Sequence, residues 1–244
     1  MTIAIISDVH GNFDAFEAVL EDIALAGATR IYSLGDNIGY GGEPDRVVRT
    51  LMDRGIPSVI GNHELAVREP AQLNWFNPQA REALMRTIDL MSEDALAAVE
   101  AFPDWRVADG VRMVHGFPPD CPLTYQFQLT RSEQDDILSA MDEPICFIGH
   151  THYPDILLWD GVTSQRIDFP EGLFTFTHTG SEARWVINVG SVGQPRDGNN
   201  NAKYVLYAPE NHTVELRYVP YDIEAAAEKI LAAGLPAHNA RRLW

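Results

Sequence analysis

The sequence predicts an α/β fold, and two observations carry this prediction. Over the first 60 residues, apolar runs of strand length alternate with apolar residues at helical spacing. After residue 153 the pattern changes to short β-rich runs that are separated by Gly, Pro and Asn turn signals. The initial order β-α-β-α-β predicts parallel strands that are joined by right-handed crossovers.

The first strand is predicted over residues 3–6, a continuous apolar run that suits a strand covered on both faces. The helix after it begins at an N-cap, Asn12, and ends at Gly27. Pro44 favours the start of a second helix, which Gly55 ends. The alternation is completed by two further strands, at residues 31–34 and 58–60.

The middle of the chain predicts a helical insertion at about residues 65–104, with two helices broken near Ser92. A strand at 111–114 follows, and Thr130 to Glu133 form a capping box that starts a helix to about Met141. The remaining strands are predicted at residues 145–148, 156–159, 166–169, 173–177, 185–189, 204–207 and 214–219. A helix from Asp222 to about Ala233 and a loose tail of ten residues complete a single domain, 1–244.

Composition and charge exclude several classes of function. The 244 residues include 18 Lys and Arg against 35 Asp and Glu, a net charge of −17. We therefore expect no stable nucleic-acid binding and no membrane association, because both need basic side chains. Cys121 and Cys146 form no CxxC pair, and the N-terminus has no basic segment before its apolar run, so we expect a cytoplasmic protein. The oligomeric state stays open.

Five predicted strand ends combine a glycine with residues that can bind a divalent metal. They are Asp8-Val9-His10-Gly11, Gly35-Asp36, Gly61-Asn62-His63-Glu64, His115-Gly116 and Gly149-His150-Thr151-His152. Open α/β sheets bind ligands outside the carboxyl ends of their strands, so we expect these side chains to converge. The sequence therefore predicts a metal site at this edge.

The predicted donors are too many for one tetrahedral zinc ion. They comprise two carboxylates, one amide oxygen and four imidazoles, from Asp8, His10, Asp36, Asn62, His115, His150 and His152. This set suits two divalent ions such as Mn, Fe, Zn, Co or Ni. Asp36 is the natural bridge, since one carboxylate can give an oxygen to each ion. Paired ions about 3.5–4 Å apart favour phosphoester hydrolysis.

The ordered motifs DxH, GD, GNHE, H and GHTH resemble the calcineurin-like metallophosphoesterases over residues 1–152. The segment from Gly190 to Asp197, GSVGQPRD, resembles one that is common in the small bacterial phosphodiesterase branch of that family. The resemblance extends to about residue 208 and implies a four-layer α/β/β/α sandwich.

The resemblance also implies roles for individual residues. It places one metal between Asp8, His10, Asp36 and His152. It places the other between Asp36, Asn62, His115 and His150. His63 corresponds to the family's unliganded histidine, which assists the leaving group or holds a phosphate oxygen. Gly39 stands where the Ser/Thr protein phosphatases carry an aspartate, and Gly41 and Ile60 stand beside motifs where they carry arginines, so a phosphoprotein substrate is disfavoured.

Substrate contacts are predicted from residue types alone. Arg196 is a candidate phosphate anchor or a surface arginine, since a guanidinium matches phosphate bidentately. Asn12 is a helix cap whose amide could also face the phosphate. Tyr40 is a turn aromatic that could contact substrate. Trp75 and Phe76 in the insertion are packing residues or a platform for a nucleotide base.

Together these features predict a dinuclear phosphoesterase. It would hydrolyse a phosphate mono- or diester of a small phosphorylated substrate by in-line attack of a metal-bridging hydroxide. The alternatives are a non-catalytic scaffold of the same fold, a dinucleoside-polyphosphate hydrolase and a protein phosphatase.

Overall fold

The computed structural model describes residues 1–170, 172–176 and 182–244. Its α-helices are α1 (Phe13–Leu25), α2 (Pro44–Asp53), α3 (Asn62–Arg68), α4 (Pro78–Asp89), α5 (Glu93–Glu100), α6 (Arg131–Ser139), α7 (Ile223–Ala232) and α8 (Ala237–Arg241). Its strands are β1 (Ile3–Ile6), β2 (Arg30–Ser33), β3 (Trp105–Ala108), β4 (Val111–Val114), β5 (Ile145–Ile148), β6 (Asp155–Trp159), β7 (Ser164–Asp168), β8 (Leu173–Thr175), β9 (Arg184–Asn188), β10 (Ala202–Ala208) and β11 (Thr213–Val219).

The strands form two sheets that pack face to face. The first has the order β2-β1-β10-β11-β8, and the second has the order β3-β4-β5-β9-β6-β7. Alternate residues of β1 explain the layers, because Ile3 and Ile5 lie in the core shared with the second sheet, whereas Ala4 and Ile6 pack towards α1. On the outer side of the second sheet, Cys146 of β5 packs with α6. The predicted four-layer α/β/β/α sandwich is confirmed.

The predicted parallel alternation is correct at its start and ends early. Strands β1 and β2 are parallel, as are β4 and β5. The third predicted strand, residues 58–60, is wrong, because it makes a single bridge, Ser33 to Ser58. The backbone N–H of Ile60, two residues before α3, donates to the carbonyl oxygen of Pro103 at 2.8 Å and not to the sheet.

The helical insertion is confirmed as helical, but it holds more elements than predicted. The two expected helices are α4 and α5, and they are preceded by α3 and a 3-10 segment at Pro70–Trp75, which are additional. The break near Ser92 is correct, since the Ser92 side chain caps α5 and also donates to Asp45 at 2.5 Å. The extent of the domain stays a prediction.

Several boundaries differ from the predictions. The last ten residues are not a loose tail, because they include α8, in which Asn239 is buried, and because Leu243 after this helix packs with Ile230 of α7. Strand β3 was not predicted, and it forms a hairpin with β4. Helix α6 ends at Ser139, and Thr177 lies outside the described residues. None of the described helices is long and apolar enough to cross a membrane.

Candidate metal centre

The predicted donor residues converge where the carboxyl ends of β1 and β2 meet those of β4 and β5. Asp8 follows β1 of the first sheet, and His150 follows β5 of the second. The backbone N–H of His150 donates to Oδ2 of Asp8 at 3.1 Å, so the two sheets are joined at this point. Gly149 is required here, since a Cβ at that position would lie 2.6 Å from Oδ2 of Asp8. The centre therefore lies at the seam of the sandwich.

Three groups of three residues bring possible ligand atoms within 4.8 Å of one another. One group is Asp8, His10 and His152, the second is Asp36, His115 and His150, and a third, His10, Asp36 and His63, overlaps both. In the first, Nε2 of His152 lies 3.1 Å from Oδ1 of Asp8, and in the second, Nε2 of His115 lies 3.3 Å from Oδ2 of Asp36. All seven residues are buried. The first two groups follow the division that the resemblance implied, whereas the third brings His63, which the resemblance leaves without a metal, within the same distance of a carboxylate and an imidazole. Asn62 lines the cavity beside His150.

The backbone of the centre is held in an unusual conformation. Eight non-glycine residues have a positive φ among those that the structure describes. Six of them belong to this region, namely Asp8, His10, Asp36, Tyr40, His150 and His152, with φ between 41° and 69°. Such residues cost free energy and persist where the surrounding structure over-determines them, as at functional sites. The strain marks these turns as functional.

Backbone carbonyl groups set the orientation of the histidine rings. In His10, His115 and His152, the Nδ1 atom contacts a carbonyl oxygen, which can only accept, so Nδ1 carries the proton and Nε2 faces the centre. The acceptors of these three N–H groups are the carbonyl oxygens of Ile38, Leu34 and Gln194, at 2.9, 2.8 and 2.6 Å respectively. His150 is reversed, because its Nε2 donates to the carbonyl oxygen of Leu123 at 3.2 Å. In each of the four rings, the nitrogen that does not contact a carbonyl oxygen is left for the centre.

The charge state of the centre also suits a cation. Burial raises the pKa of Asp36, but the neighbouring His115 and His63 outweigh it and hold that pKa below its ordinary value. Burial lowers the pKa of His150 to about 3 and that of His152 to about 4. Burial also lowers the pKa of His115, but Asp36 outweighs it and raises the pKa to about 9. Ionised carboxylates and neutral imidazoles are the forms that bind metals, so Asp36, His150 and His152 are ready to bind, whereas His115 must release a proton when it binds.

Buried polar atoms without a hydrogen-bond partner show whether the residues of the centre fit a metal ion. Oδ1 of Asp8 and Nε2 of His115 are buried and have no hydrogen-bond partner within the described parts of the chain. A buried polar atom without a partner costs free energy, and a divalent ion between these atoms would remove that cost. The residues therefore fit a metal.

Glu64 is a residue of the centre whose role the sequence did not reveal. Its buried carboxylate accepts the backbone N–H groups of Asp36, Asn37 and Gly61 at 2.9, 2.6 and 3.0 Å. Burial and the nearby Asp36 raise the pKa of Glu64 to about 7. The side chain ties the turn of Asp36 to the start of α3. In the sequence, only its place in the motif GNHE indicated a role, and the motif does not distinguish a metal ligand from a residue that holds the backbone in place.

His63 lies at the edge of the centre, between the metal groups and the insertion. Its Nε2 is 3.9 Å from Oδ2 of Asp36, and burial lowers its pKa to about 3. Its ring packs edge-on against Phe76, with centroids 5.0 Å apart. Gly39, where a family aspartate was missing, has no room for a side chain, since a Cβ there would lie 2.7 Å from Cε1 of His63.

The predicted substrate contacts lie in different places. Tyr40 borders the centre, with its ring 4.6 Å from that of His10. Arg196 is exposed, and its guanidinium opposes the rise that burial causes in the pKa of Tyr40 and adds to the fall that burial causes in the pKa of His152. Asn12 uses both polar atoms of its side chain within the protein, for Ala15 and for Gly193, as expected of a helix cap.

A cavity of about 420 Å³ opens beside His150 and Asn62. Its walls come from the insertion, from the loop after β4 and from the turn of Tyr40. The ring of Tyr125, which the sequence did not single out, stacks on His150 with centroids 3.6 Å apart. Trp75 lies in the wall and is 85% exposed. The cavity thus borders the centre at His150 and Asn62.

The sandwich and the carboxylate–imidazole groups at its seam define a class of metal-binding α/β proteins. Residues 1–212 match the calcineurin-like phosphoesterase superfamily domain, and the chain belongs to this family. The resemblance that the motifs indicated is thereby confirmed.

The chain is similar to three further proteins. The chain is similar to a metallophosphoesterase of Sphaerobacter thermophilus, with 35% identity, coverage of 100% and 98% of the two chains, and a TM-score of 0.81. It is 32% identical to an uncharacterized protein of Methanocaldococcus jannaschii, over 99% of this chain and 97% of that one. It is 33% identical to a symmetrical bis(5'-nucleosyl)-tetraphosphatase of Delftia acidovorans, over 64% of this chain and 55% of that one.

Proposed function

We propose that the protein is a dinuclear metal-dependent phosphoesterase that hydrolyses a mono- or diester of a small phosphorylated compound. One observation carries the proposal: two buried groups, each with one carboxylate and two imidazoles, lie side by side. Membership of a phosphoesterase family supports the same reaction class.

Two divalent ions would be held by Asp8, His10 and His152 and by Asp36, His115 and His150, with Asn62 as a further donor to the second. Asp36 would bridge them, since its Oδ2 lies 3.3 Å from Nε2 of His115 and 3.7 Å from Nε2 of His10. The donor set suits Mn, Fe, Zn, Co or Ni. When bound, such ions act as Lewis acids and lower the pKa of water, which serves as the nucleophile.

The surrounding residues would position the ester. His63 would donate a hydrogen bond from its neutral ring to a phosphate oxygen or to the leaving oxygen. Arg196 would neutralise a second phosphate oxygen from the opposite side, near His152. Tyr40 would border the phosphate between these two residues.

A second candidate is hydrolysis of dinucleoside polyphosphates. It is favoured by the 33% identity with the tetraphosphatase of Delftia acidovorans, which extends over 164 residues. The two candidates share the metal centre and differ in which phosphorus atom is attacked.

The proposal is tested by hydrolysis of 4-nitrophenyl phosphate and bis(4-nitrophenyl) phosphate with each of several divalent metals. Asp36→Asn should reduce kcat/KM by more than the 10–100-fold that changes to outer-shell partners of metal ligands cost. Asp53→Asn, on an exposed part of α2, is the matched control and should retain wild-type activity. Wild-type activity in Asp36→Asn, or a folded, metal-loaded wild type with no activity on either class of ester, would refute the proposal.

A further inference from the structure

We infer that the cavity beside the metal centre binds the base of a nucleotide, so that the substrate is a nucleoside phosphate ester. This inference rests on the proposed function, because the cavity would be the subsite for the part of the ester that does not react. Its position supports this role, since its walls include His150 and Asn62 of the candidate centre.

The first observation is the aromatic character of the walls. Four aromatic side chains line the cavity, namely Tyr40, Trp75, Phe76 and Tyr125. Trp75 is 85% exposed, so its ring is accessible to a ligand in the cavity. Aromatic faces stack on nucleotide bases in single-stranded nucleic-acid sites, because every base offers a π-face.

The second observation is the polar part of the walls, which is made of amides. Gln72, Asn77 and Gln128 line the cavity together with Asn62. Gln72 donates its Nε2 to Glu69 at 3.1 Å, and Asn77 accepts at Oδ1 from the backbone N–H of Ala80 at 2.9 Å. The other polar atoms of these two amides, Oε1 of Gln72 and Nδ2 of Asn77, have no hydrogen-bond partner among the described residues. They offer a ligand one acceptor and one donor.

Gln128 is likewise half engaged, because its Oε1 accepts from the backbone N–H of Tyr125 at 3.0 Å. Its amide nitrogen is a second donor for the cavity. A flat group with alternating donors and acceptors on its edge, such as a nucleotide base, matches this combination of stacking faces and amide ends.

The third observation is charge. The net charge of the chain is −17, yet the described residues that line this cavity include no Asp, Glu, Lys or Arg. An uncharged lining suits the neutral part of a substrate whose phosphate lies at the metals. The volume of about 420 Å³ is near the lower end of the range for small-molecule sites, which fits a nucleoside and not a polymer.

The inference is tested by fluorescence titration of the Mn²⁺-loaded protein with AMP and with ribose 5-phosphate, which differ only in the base. AMP should bind about tenfold more tightly, since stacking on one aromatic side chain contributes on this order. Trp75→Ala should abolish the difference. Trp244→Ala, an exposed tryptophan that does not line the cavity, should keep it. Phenyl phosphate, which can stack but has no polar edge, should bind more weakly than AMP.

Equal affinities of the wild type for AMP and ribose 5-phosphate would overturn the inference, as would phenyl phosphate binding as tightly as AMP. A preference for AMP that survives Trp75→Ala would also overturn it. Hydrolysis of nitrophenyl esters, measured in parallel, distinguishes failure of this inference from failure of the proposed phosphoesterase function. Activity without a preference for the base would refute only this inference, and a Trp75-dependent preference without activity would refute only the proposed function.

Discussion

Replacing Glu64 by Gln tests whether one buried carboxylate holds the two turns of the centre together. Oε2 of Glu64 accepts the N–H groups of Asp36 and Gly61, and Oε1 accepts that of Asn37. Glutamine has an NH2 group in place of one oxygen, and this group can only donate. In either orientation it must face at least one backbone N–H that has lost its acceptor.

The magnitude follows from the orientation that costs less, in which the backbone N–H of Asn37 loses its bond; Nδ2 of Asn37, 3.3 Å from the same oxygen, keeps its bond to Ser58. A hydrogen bond to a charged group contributes about 1.5–3 kcal/mol, and an unsatisfied buried N–H costs about 1–3 kcal/mol. We therefore expect the free energy of unfolding to fall by about 2–4 kcal/mol. Metal affinity should fall about 10–100-fold, because the turn that carries Asp36 loses its support.

Urea denaturation followed by circular dichroism measures the first effect, and calorimetric titration with Mn²⁺ measures the second. Glu100→Gln, at the exposed end of α5, is the matched control and should change the free energy of unfolding by less than about 0.5 kcal/mol. An unchanged urea midpoint together with unchanged Mn²⁺ affinity in Glu64→Gln would refute the reasoning.

Two further predictions concern pH and metal removal. Burial raises the pKa of Asp155 to about 6, with Arg166 opposing the rise and Asp168 adding to it. Because the folded state holds this proton more tightly than the unfolded state, its stabilising effect is lost as the pH rises from about 4 to about 6. Asp155→Asn should therefore be about 2–3 kcal/mol more stable than the wild type at pH 7.5 and equal to it at pH 4, in urea titrations; a constant difference at both pH values would contradict this. Treatment with EDTA should lower Tm by about 5–10 °C in differential scanning fluorimetry, with recovery on adding Mn²⁺, because a bound ion at a hundred times its Kd contributes about 2.7 kcal/mol; an identical Tm would show that no stabilising ion was bound.

Six of the seven donors could be predicted because each lies within four residues of the end of a strand; Asn62 is the exception. Asp8 and His150 lie two residues beyond β1 and β5, so the parallel pattern alone places them at one edge. The same logic failed for residues 58–60, where pairing with Pro103 replaced the expected strand. Sequence periodicity cannot detect a partner that lies more than 40 residues away.

The supports of the centre were beyond prediction for a different reason. The rings of His10, His115 and His152 are oriented by backbone carbonyl groups, which every residue has, so no residue type marks them. Tyr125 lies in a stretch without periodicity, and its contact with His150 depends on the path of that loop. Helix α8 was missed because five residues are too few for a helical pattern to emerge.

The position of the centre at the seam has a consequence for any attempt to divide the molecule. Asp8 and Asp36 belong to the N-terminal third of the chain, whereas His115, His150 and His152 come from the other sheet. A proteolytic or engineered fragment that contains a single sheet thus holds no complete ligand set. Split halves of the polypeptide would regain metal affinity only on reassociation, which makes the ion a reporter of their assembly.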